Sequence, residues 1–157
     1  LHPRVRRQRQ MCIRDRVLDT ILTGKHLYCV QHDINFTCVA DGHLLDGMNV
    51  MDICTIFGNA LDNAIEYEEK IEDKKKRLIR VAVYSQNQFT IIRVENYCEV
   101  QLTQGDNLPE TTKKNKEYHG YGLKSIRTTT EKYGGSMTVR TEDDWFYLRV
   151  LIPKTEK

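Results

Sequence analysis

The chain has 157 residues, a formal net charge of +2, and 39% hydrophobic against 29% charged residues. These values predict one globular domain with its own core, and they give no argument for a nucleic-acid partner. The apolar runs are far shorter than a bilayer span, so we expect no direct membrane contact by this chain. Five cysteines without C-x-x-C spacing favour reduced thiols in a cytoplasmic protein.

The first sixteen residues differ in composition from the rest of the chain. They are rich in arginine and have little apolar pattern, which is one signature of a basic nucleic-acid or targeting arm. However, Met11 to Asp15 resembles the translation of a transposon end used in preparing sequencing libraries. We therefore interpret residues 1–16 as a non-native or disordered terminus, and residues 17–33 as the end of an incoming helix.

A strand and a long helix follow. Apolar residues alternate with Asn35, Thr37 and Val39 over residues 34–40, which predicts a strand. The next apolar residues recur at helical spacing, namely Val50, Cys54, Phe57, Leu61 and Ala64. The opposite face carries Asn59, Asp62, Asn63 and Glu66. Asparagine and glycine are poor helix formers, so Asn59, Asn63 and Gly58 conflict with the helix and indicate a functional face. The charged residues 68–77 are interpreted as a solvated turn.

The rest of the chain contains two predicted hairpins separated by a loop and a helix. The four strands are expected at residues 78–84, 89–96, 137–142 and 145–152. Residues 98–118 are polar and without periodicity, which is typical of a functional lid or of a disordered loop. Gly120 and Gly122 stand just before a helical pattern, where a helix start attracts phosphate. These elements predict an α+β fold, a two-layer sandwich with helices on one face of a mixed, mostly antiparallel sheet.

Two motifs together resemble a known family. The asparagine segment "GNALDNAIE" and the glycine segment "HGYGLKSI" are similar to those of the GHKL superfamily ATP-binding domain. Sensor histidine kinases share this domain with type II topoisomerases, and the wording is most similar to that of the quorum-sensing type of kinase. The resemblance covers roughly residues 17–153, with the ATP-binding domain at 34–153, a tail at 154–157 and a dimerisation or linker helix ending at 33. It implies the Bergerat-type ATP-binding fold and the cofactors ATP and Mg²⁺.

The resemblance implies roles for the residues of the asparagine helix. Asn63 matches the amide that coordinates the Mg²⁺ bridging the phosphates, and Glu66 is placed to orient a water on that metal. Asn59 matches a position that is a water-activating glutamate in the hydrolysing members. Since an amide cannot accept a proton, we expect little hydrolysis, whereas phosphoryl transfer to a supplied nucleophile stays possible.

The remaining ATP contacts are implied for the second strand hairpin, the lid and the glycine motif. Asn96 matches an aspartate that reads adenine, although Tyr97 to Val100 contain none of the glycines that follow it in most relatives. The lid contributes Thr112, Lys113 and Lys114. The glycine motif contributes Gly120, Tyr121, Gly122, Leu123 and Lys124.

The acceptor histidine of such a kinase is expected outside this chain. Neither His26 nor His32 has the helical acidic context that an acceptor needs. The resemblance therefore implies phosphate transfer to a histidine on a separate dimerisation helix, within a homodimer that also engages a response regulator. Two alternatives are open, a serine kinase of the anti-sigma-factor type and a degenerate nucleotide-binding module that acts through protein contacts.

Overall fold

The computed structural model describes residues 3–99 and 116–154, with side chains described for residues 16–99 and 121–154. Over these two ranges the chain forms three α-helices, two short 3₁₀ helices and five strands. The α-helices are α1 (Pro3–Gln31), α2 (Val50–Glu69) and α3 (Lys116–Glu131), and the 3₁₀ helices are Gly42–Leu45 and Lys74–Lys76. The strands are β1 (Asn35–Ala40), β2 (Leu78–Gln86), β3 (Phe89–Tyr97), β4 (Ser136–Glu142) and β5 (Trp145–Pro153).

The five strands form one sheet in the order β1-β2-β3-β5-β4. β1 runs parallel to β2, and every other neighbouring pair is antiparallel. The helices pack on one face of this sheet, which makes the molecule a two-layer α+β sandwich. The predicted fold class is therefore confirmed, including the mixed and mostly antiparallel sheet.

Successive side chains of a strand point alternately to the face of the sheet that packs on the helices and to the opposite, open face. Ile92 and Val94 of β3 are buried against α2, while Arg93 between them is exposed. The core combines these strand residues with the buried face of α2, including Ile53, Phe57 and Leu61. This face is rotated slightly from the predicted one, because Val50 and Cys54 are only half-buried.

The turns contain the residues that their backbone geometry requires. Asn87 has φ 55° in the β2–β3 hairpin, and Asp143 and Asp144 have φ 51° and 64° in the β4–β5 hairpin. Asparagine and aspartate tolerate this left-handed region, so both predicted hairpins form with short turns. Gly135 follows α3, where a β-carbon would lie 2.2 Å from the carbonyl oxygen of Leu151, so this turn requires glycine.

The helix α1 begins at Pro3. The sequence predicts only the last part of an incoming helix, beginning at Val17, so the observed helix starts earlier than predicted. It therefore includes part of the segment interpreted as non-native, and that interpretation stays a prediction. α1 contacts the domain through Leu18 and Cys29, which are both buried. Within the described residues, no helix is long and apolar enough to cross a membrane. Among the described side chains, Cys29, Cys38, Cys54 and Cys98 form no disulfide.

The prediction that residues 68–77 form a solvated turn is wrong at both ends. Glu68 is fully buried, and its Oε1 accepts hydrogen bonds from the backbone N–H groups of Leu78 and Tyr97, each at 3.0 Å. One carboxyl group therefore joins the end of α2 to the paired ends of β2 and β3. The interior of the run, from Glu72 to Lys76, is exposed as predicted.

Arg77 makes the matching connection between the two helix ends. Its Nε donates to the carbonyl of Ile71 at 2.9 Å, its Nη1 to that of His32 at 2.7 Å and its Nη2 to that of Glu69 at 3.2 Å. Terminal carbonyls of a helix need partners from outside the helix. Arg77 thus fixes the end of α1 relative to the end of α2 and the start of β2.

Candidate active site

The asparagine helix α2 starts with a side-chain cap and buries one face. The Oδ1 of Asn49 accepts a hydrogen bond from the N–H of Met51 at 2.8 Å, which satisfies one donor of the first turn. The helix then packs its apolar face on β2 and β3. Consequently the stripe with Asn59, Asn63 and Glu66 points away from the sheet, and all three side chains are half-buried.

Asn59 lies directly beside Gly122 of α3. Its Nδ2 donates to the carbonyl of Thr55 at 2.8 Å, which orients the amide. A β-carbon added at Gly122 would lie 3.6 Å from the Asn59 Oδ1, an ordinary van der Waals contact. The asparagine motif and the glycine motif are therefore neighbours where α2 packs on α3, although Asn59 and Gly122 are far apart in the chain.

The prediction that Gly120 and Gly122 precede a helix start is wrong. α3 begins at Lys116, so both glycines lie inside the helix, and the helix start lies four residues before Gly120. Glycine in a helix interior costs only about 1 kcal/mol relative to alanine. At Gly122 a β-carbon would make only ordinary van der Waals contact with Asn59, so the packing of the two helices does not itself require glycine.

The other residues of the glycine motif divide between surface and core. Tyr121 is 72% exposed and Lys124 is also exposed, whereas Leu123 is buried in the core with Ile126. Leu123 therefore contributes packing rather than an exposed contact. Thr112, Lys113 and Lys114 lie outside the described residues. Gly120 is described only in its backbone, as part of α3.

The polar face of α2 also borders α1. Asp62 forms an ion pair with Lys25, and Glu69 accepts a hydrogen bond from the hydroxyl of Tyr28. A groove between the two helices is lined by these four side chains and by Gly58 and Glu66. α1 is thus held against the same helix that carries the candidate site.

Asn96 lies at the end of β3, on the side of the sheet that faces the helices. It is 2% exposed, and its Nδ2 donates to the carbonyl of Tyr97 at 3.2 Å. The Glu68 carboxyl group bonds the N–H of Tyr97, the next residue. Asn96 therefore lies near the end of α2, where Glu68 is five residues, or about 7.5 Å along the helix axis, beyond Asn63.

Glu68 and Arg77 are the residues at this end of the molecule that sequence reasoning missed. Glu68 follows Leu61 and Ala64 at i+7 and i+4, so the apolar face of α2, continued by one turn, includes it. This helical spacing is a signal in the sequence from which the burial of Glu68 can be predicted. Burial raises the pKa of the Glu68 carboxyl group to about 8, although the two backbone N–H groups and Arg77 lower it. For Arg77 the sequence offers no comparable signal.

An ionic cluster fixes the orientation of α3 against the start of α2. Lys132 donates to both carboxylate oxygens of Asp52 at 3.0 Å, and the hydroxyl of Tyr133 also donates to Asp52. The same hydroxyl accepts from the N–H of Asn49 at 2.9 Å. These bonds, above all the one from Tyr133, hold the pKa of the Asp52 carboxyl group below its usual range.

We expect Asp52→Asn to lower the free energy of unfolding by about 2 kcal/mol at pH 7, the scale of charge-assisted hydrogen bonds to a buried group. Because the folded state lowers the pKa of Asp52, this stabilisation is present above its unfolded pKa and is lost as pH falls through the folded value. Urea denaturation at pH 7 and pH 3 measures both effects. Asp19→Asn, an exposed change on α1, is the control and should have no effect. Equal midpoints for the two variants at pH 7 would contradict the role of Asp52.

The donor chemistry limits what kind of metal site this face can form. Within the described side chains, no group of three or more His, Cys, Asp or Glu residues could hold a metal ion. Mg²⁺ usually takes only one or two protein ligands together with substrate phosphates. The half-buried amide oxygen of Asn63, with Glu66 one turn further, fits that kind of shared site.

Residues 48–153, more than half of the chain, match a family model described as "GHKL domain". Among solved structures, the nucleotide-free catalytic domain of histidine kinase ThkA aligns with a TM-score of 0.62 at 17% identity, covering 90% of this chain and 92% of that one. No curated protein matches the sequence closely enough to count as a relative.

Two longer kinases share the same fold. The histidine kinase AdeS of Acinetobacter baumannii aligns with a TM-score of 0.61 at 12% identity, over 90% of this chain and 65% of that one. The blue-light-activated histidine kinase EL346 of Erythrobacter litoralis gives 0.59 at 16% identity, over 87% and 58%. At these identities the likeness shows the fold, which is that of histidine kinase catalytic domains.

Proposed function

Because the chain belongs to the GHKL domain family, we propose that it binds ATP with Mg²⁺ and transfers the terminal phosphate to a histidine on a dimerisation helix. In this proposal it is the catalytic part of a bacterial two-component sensor kinase of the quorum-sensing type. Its partners are its own dimerisation domain, in a homodimer, and a response regulator. It acts in the cytoplasm.

The observation that carries the proposal is the proximity of Asn59 to Gly122. It brings the asparagine helix and the glycine motif together, which supports a common site for the two motifs. Asn96 is fixed at the neighbouring end of β3. Amide groups dominate this arrangement, and they bind polar ligands without adding negative charge that would repel phosphate.

The chemistry of Asn59 favours transfer over hydrolysis. Its Nδ2 is committed to the carbonyl of Thr55, so the side chain presents its Oδ1 beside α3. An amide oxygen orients a group by accepting a hydrogen bond, but it cannot remove a proton from water. Phosphoryl transfer depends mainly on positioning the nucleophile in line with the phosphate, which a separate dimerisation helix would do.

Asn63 would hold the metal through its amide oxygen, and Glu66 would accept a hydrogen bond from a metal-bound water. When bound, Mg²⁺ neutralises charge that develops on the phosphates. The lysines of the lid, Lys113 and Lys114, and the exposed Lys124 would supply further positive charge. Asn96 would present its amide to the adenine.

Incubation with terminally labelled ATP tests the proposal. The chain alone should bind Mg-ATP, hydrolyse it negligibly and fail to label itself. With the dimerisation helices of its own full-length protein added, a histidine there should acquire label that is stable in base and lost in acid. An Asn59→Ala variant, measured in parallel, should bind ATP more weakly without gaining hydrolysis.

Other outcomes would point to other functions. Rapid hydrolysis by the chain alone would contradict the proposal and indicate an ATPase. Acid-stable label on a serine of a partner would indicate a serine kinase of the anti-sigma-factor type. A folded chain that binds no nucleotide would indicate a module that acts through protein contacts alone.

A further inference from the structure

The face of the sheet opposite the helices carries one arginine from each of four strands. These are Arg80 on β2, Arg93 on β3, Arg140 on β4 and Arg149 on β5. The strand register places Arg93 directly opposite Arg149, with Arg80 and Arg140 in the next row. We call this set the arginine face.

Three of the four arginines have partners on the same face. Arg80 and Arg93 share the carboxylate of Glu95, at 3.2 and 2.7 Å, and the side chain of Glu95 is only 6% exposed. Arg140 pairs with Glu142 at 3.5 Å. Two carboxylates therefore face four guanidinium groups, which leaves the arginine face with an excess of positive charge.

Arg149 belongs to the arginine face and differs from the other three arginines in its hydrogen bonding. Its Nε is buried and has no hydrogen-bond partner among the described residues. It also lies opposite Arg93, and like charges directly opposite on a sheet are destabilising. A buried donor without an acceptor costs further free energy. A negatively charged group placed over the guanidinium of Arg149 would relieve the repulsion with Arg93.

We propose that the arginine face binds an acidic, extended segment of a partner protein, whose carboxylates accept hydrogen bonds from Arg149. A guanidinium group has the planar, two-donor geometry that a carboxylate matches. This inference is independent of nucleotide binding and goes beyond the proposed kinase activity.

The aromatic residues of the arginine face argue against single-stranded nucleic acid as the occupant. Binding of such strands relies on bases that stack on accessible rings. Here the rings are covered by arginine, with Arg80 4.0 Å from the ring centre of Trp145, Arg140 4.9 Å from that of Tyr147 and Arg93 5.6 Å from that of Tyr84. The surface thus offers charge and hydrogen bonds rather than stacking.

Fluorescence anisotropy with a labelled peptide of ten glutamates, in low salt and without nucleotide, tests the proposal on the full chain. Arg149→Gln should weaken binding about tenfold, since it removes one charge-assisted contact. Arg149→Lys, which keeps the charge but lacks the Nε, should weaken it less. Arg127→Gln makes the same charge change on α3, in the helical layer, and should leave the affinity within twofold of the wild type.

Three results would overturn the inference. One is no measurable binding of the peptide by the folded wild type in low salt. A second is an equal loss in Arg149→Gln and Arg127→Gln, which would indicate attraction by net charge alone. The third is tighter binding of a ten-residue thymidine oligonucleotide than of the peptide. None of these depends on ATP, so the kinase proposal would stand or fail separately.

Discussion

Asn63→Ala should weaken binding of Mg-ATP roughly 30- to 150-fold, which corresponds to about 2–3 kcal/mol. In the proposed function Asn63 is the amide on α2 that holds the metal against the phosphates, and a metal-centred contact has the strength of a charge-assisted bond. Alanine is a better helix former than asparagine, and Asn63 is only half-buried. The folded domain should therefore keep its melting temperature or gain a little.

Calorimetric titration with ATP, with and without Mg²⁺, isolates the metal. The loss in Asn63→Ala should be large with Mg²⁺ and small without it. Asn35→Ala, on the exposed edge strand β1, is the matched control and should bind like the wild type. Unchanged affinity in a folded Asn63→Ala variant would remove Asn63 from the site.

Most of the fold follows from periodicity and turn chemistry in the sequence. Burial alternates along β2, β4 and β5, whereas β3 buries Ile91 as well as Ile92. The turns contain Asn87, Asp143, Asp144 and the Gly134–Gly135 pair. The parallel pairing of β1 with β2 is less visible, because β1 is an edge strand with only Phe36 buried. Its alternation in the sequence predicts a strand, but its partner and direction depend on contacts with α1 and β2.

Site residues can be predicted where the residue type conflicts with the local helical pattern, and they are harder to predict elsewhere. Asn59 and Gly58 stand out because they are poor helix formers in a clear helical pattern. The start of α3 could not be placed in this way. Glycine usually marks a helix boundary, yet Gly122 lies within α3, beside Asn59 of α2. The neighbouring helix is distant in the sequence, so no local signal indicates this arrangement.

Buried charge in the run from residue 68 to residue 77 was missed for a related reason. Such a charged run is usually exposed to solvent, and residues 72–76 in its middle are exposed. Its two ends bond backbone groups, Glu68 at the paired strand ends and Arg77 at the helix ends. Which backbone groups lack partners depends on how the elements meet, and composition does not contain that information.

Glu68→Gln should stabilise the protein at alkaline pH. Burial raises the pKa of Glu68 to about 8 in the folded state, against 4.5 for the free group, and nearby Glu99 adds to the rise. A carboxyl group with a raised pKa stabilises the fold fully below its unfolded pKa, and this stabilisation is lost as pH rises through the folded value. Between pH 4.5 and pH 8.5 the loss is on the order of 4 kcal/mol.

Glutamine keeps the acceptor for Leu78 and Tyr97 but has no charge to bury, so the variant should lack this pH dependence. Thermal unfolding measures the difference. At pH 8.5 we expect Glu68→Gln to melt roughly 10 °C above the wild type, and at pH 5 close to it. Glu72→Gln, an exposed change in the same run, should follow the wild type at both pH values. If the wild type and Glu68→Gln differ equally at pH 5 and pH 8.5, Glu68 is ionised in the fold, and its two backbone bonds outweigh its burial.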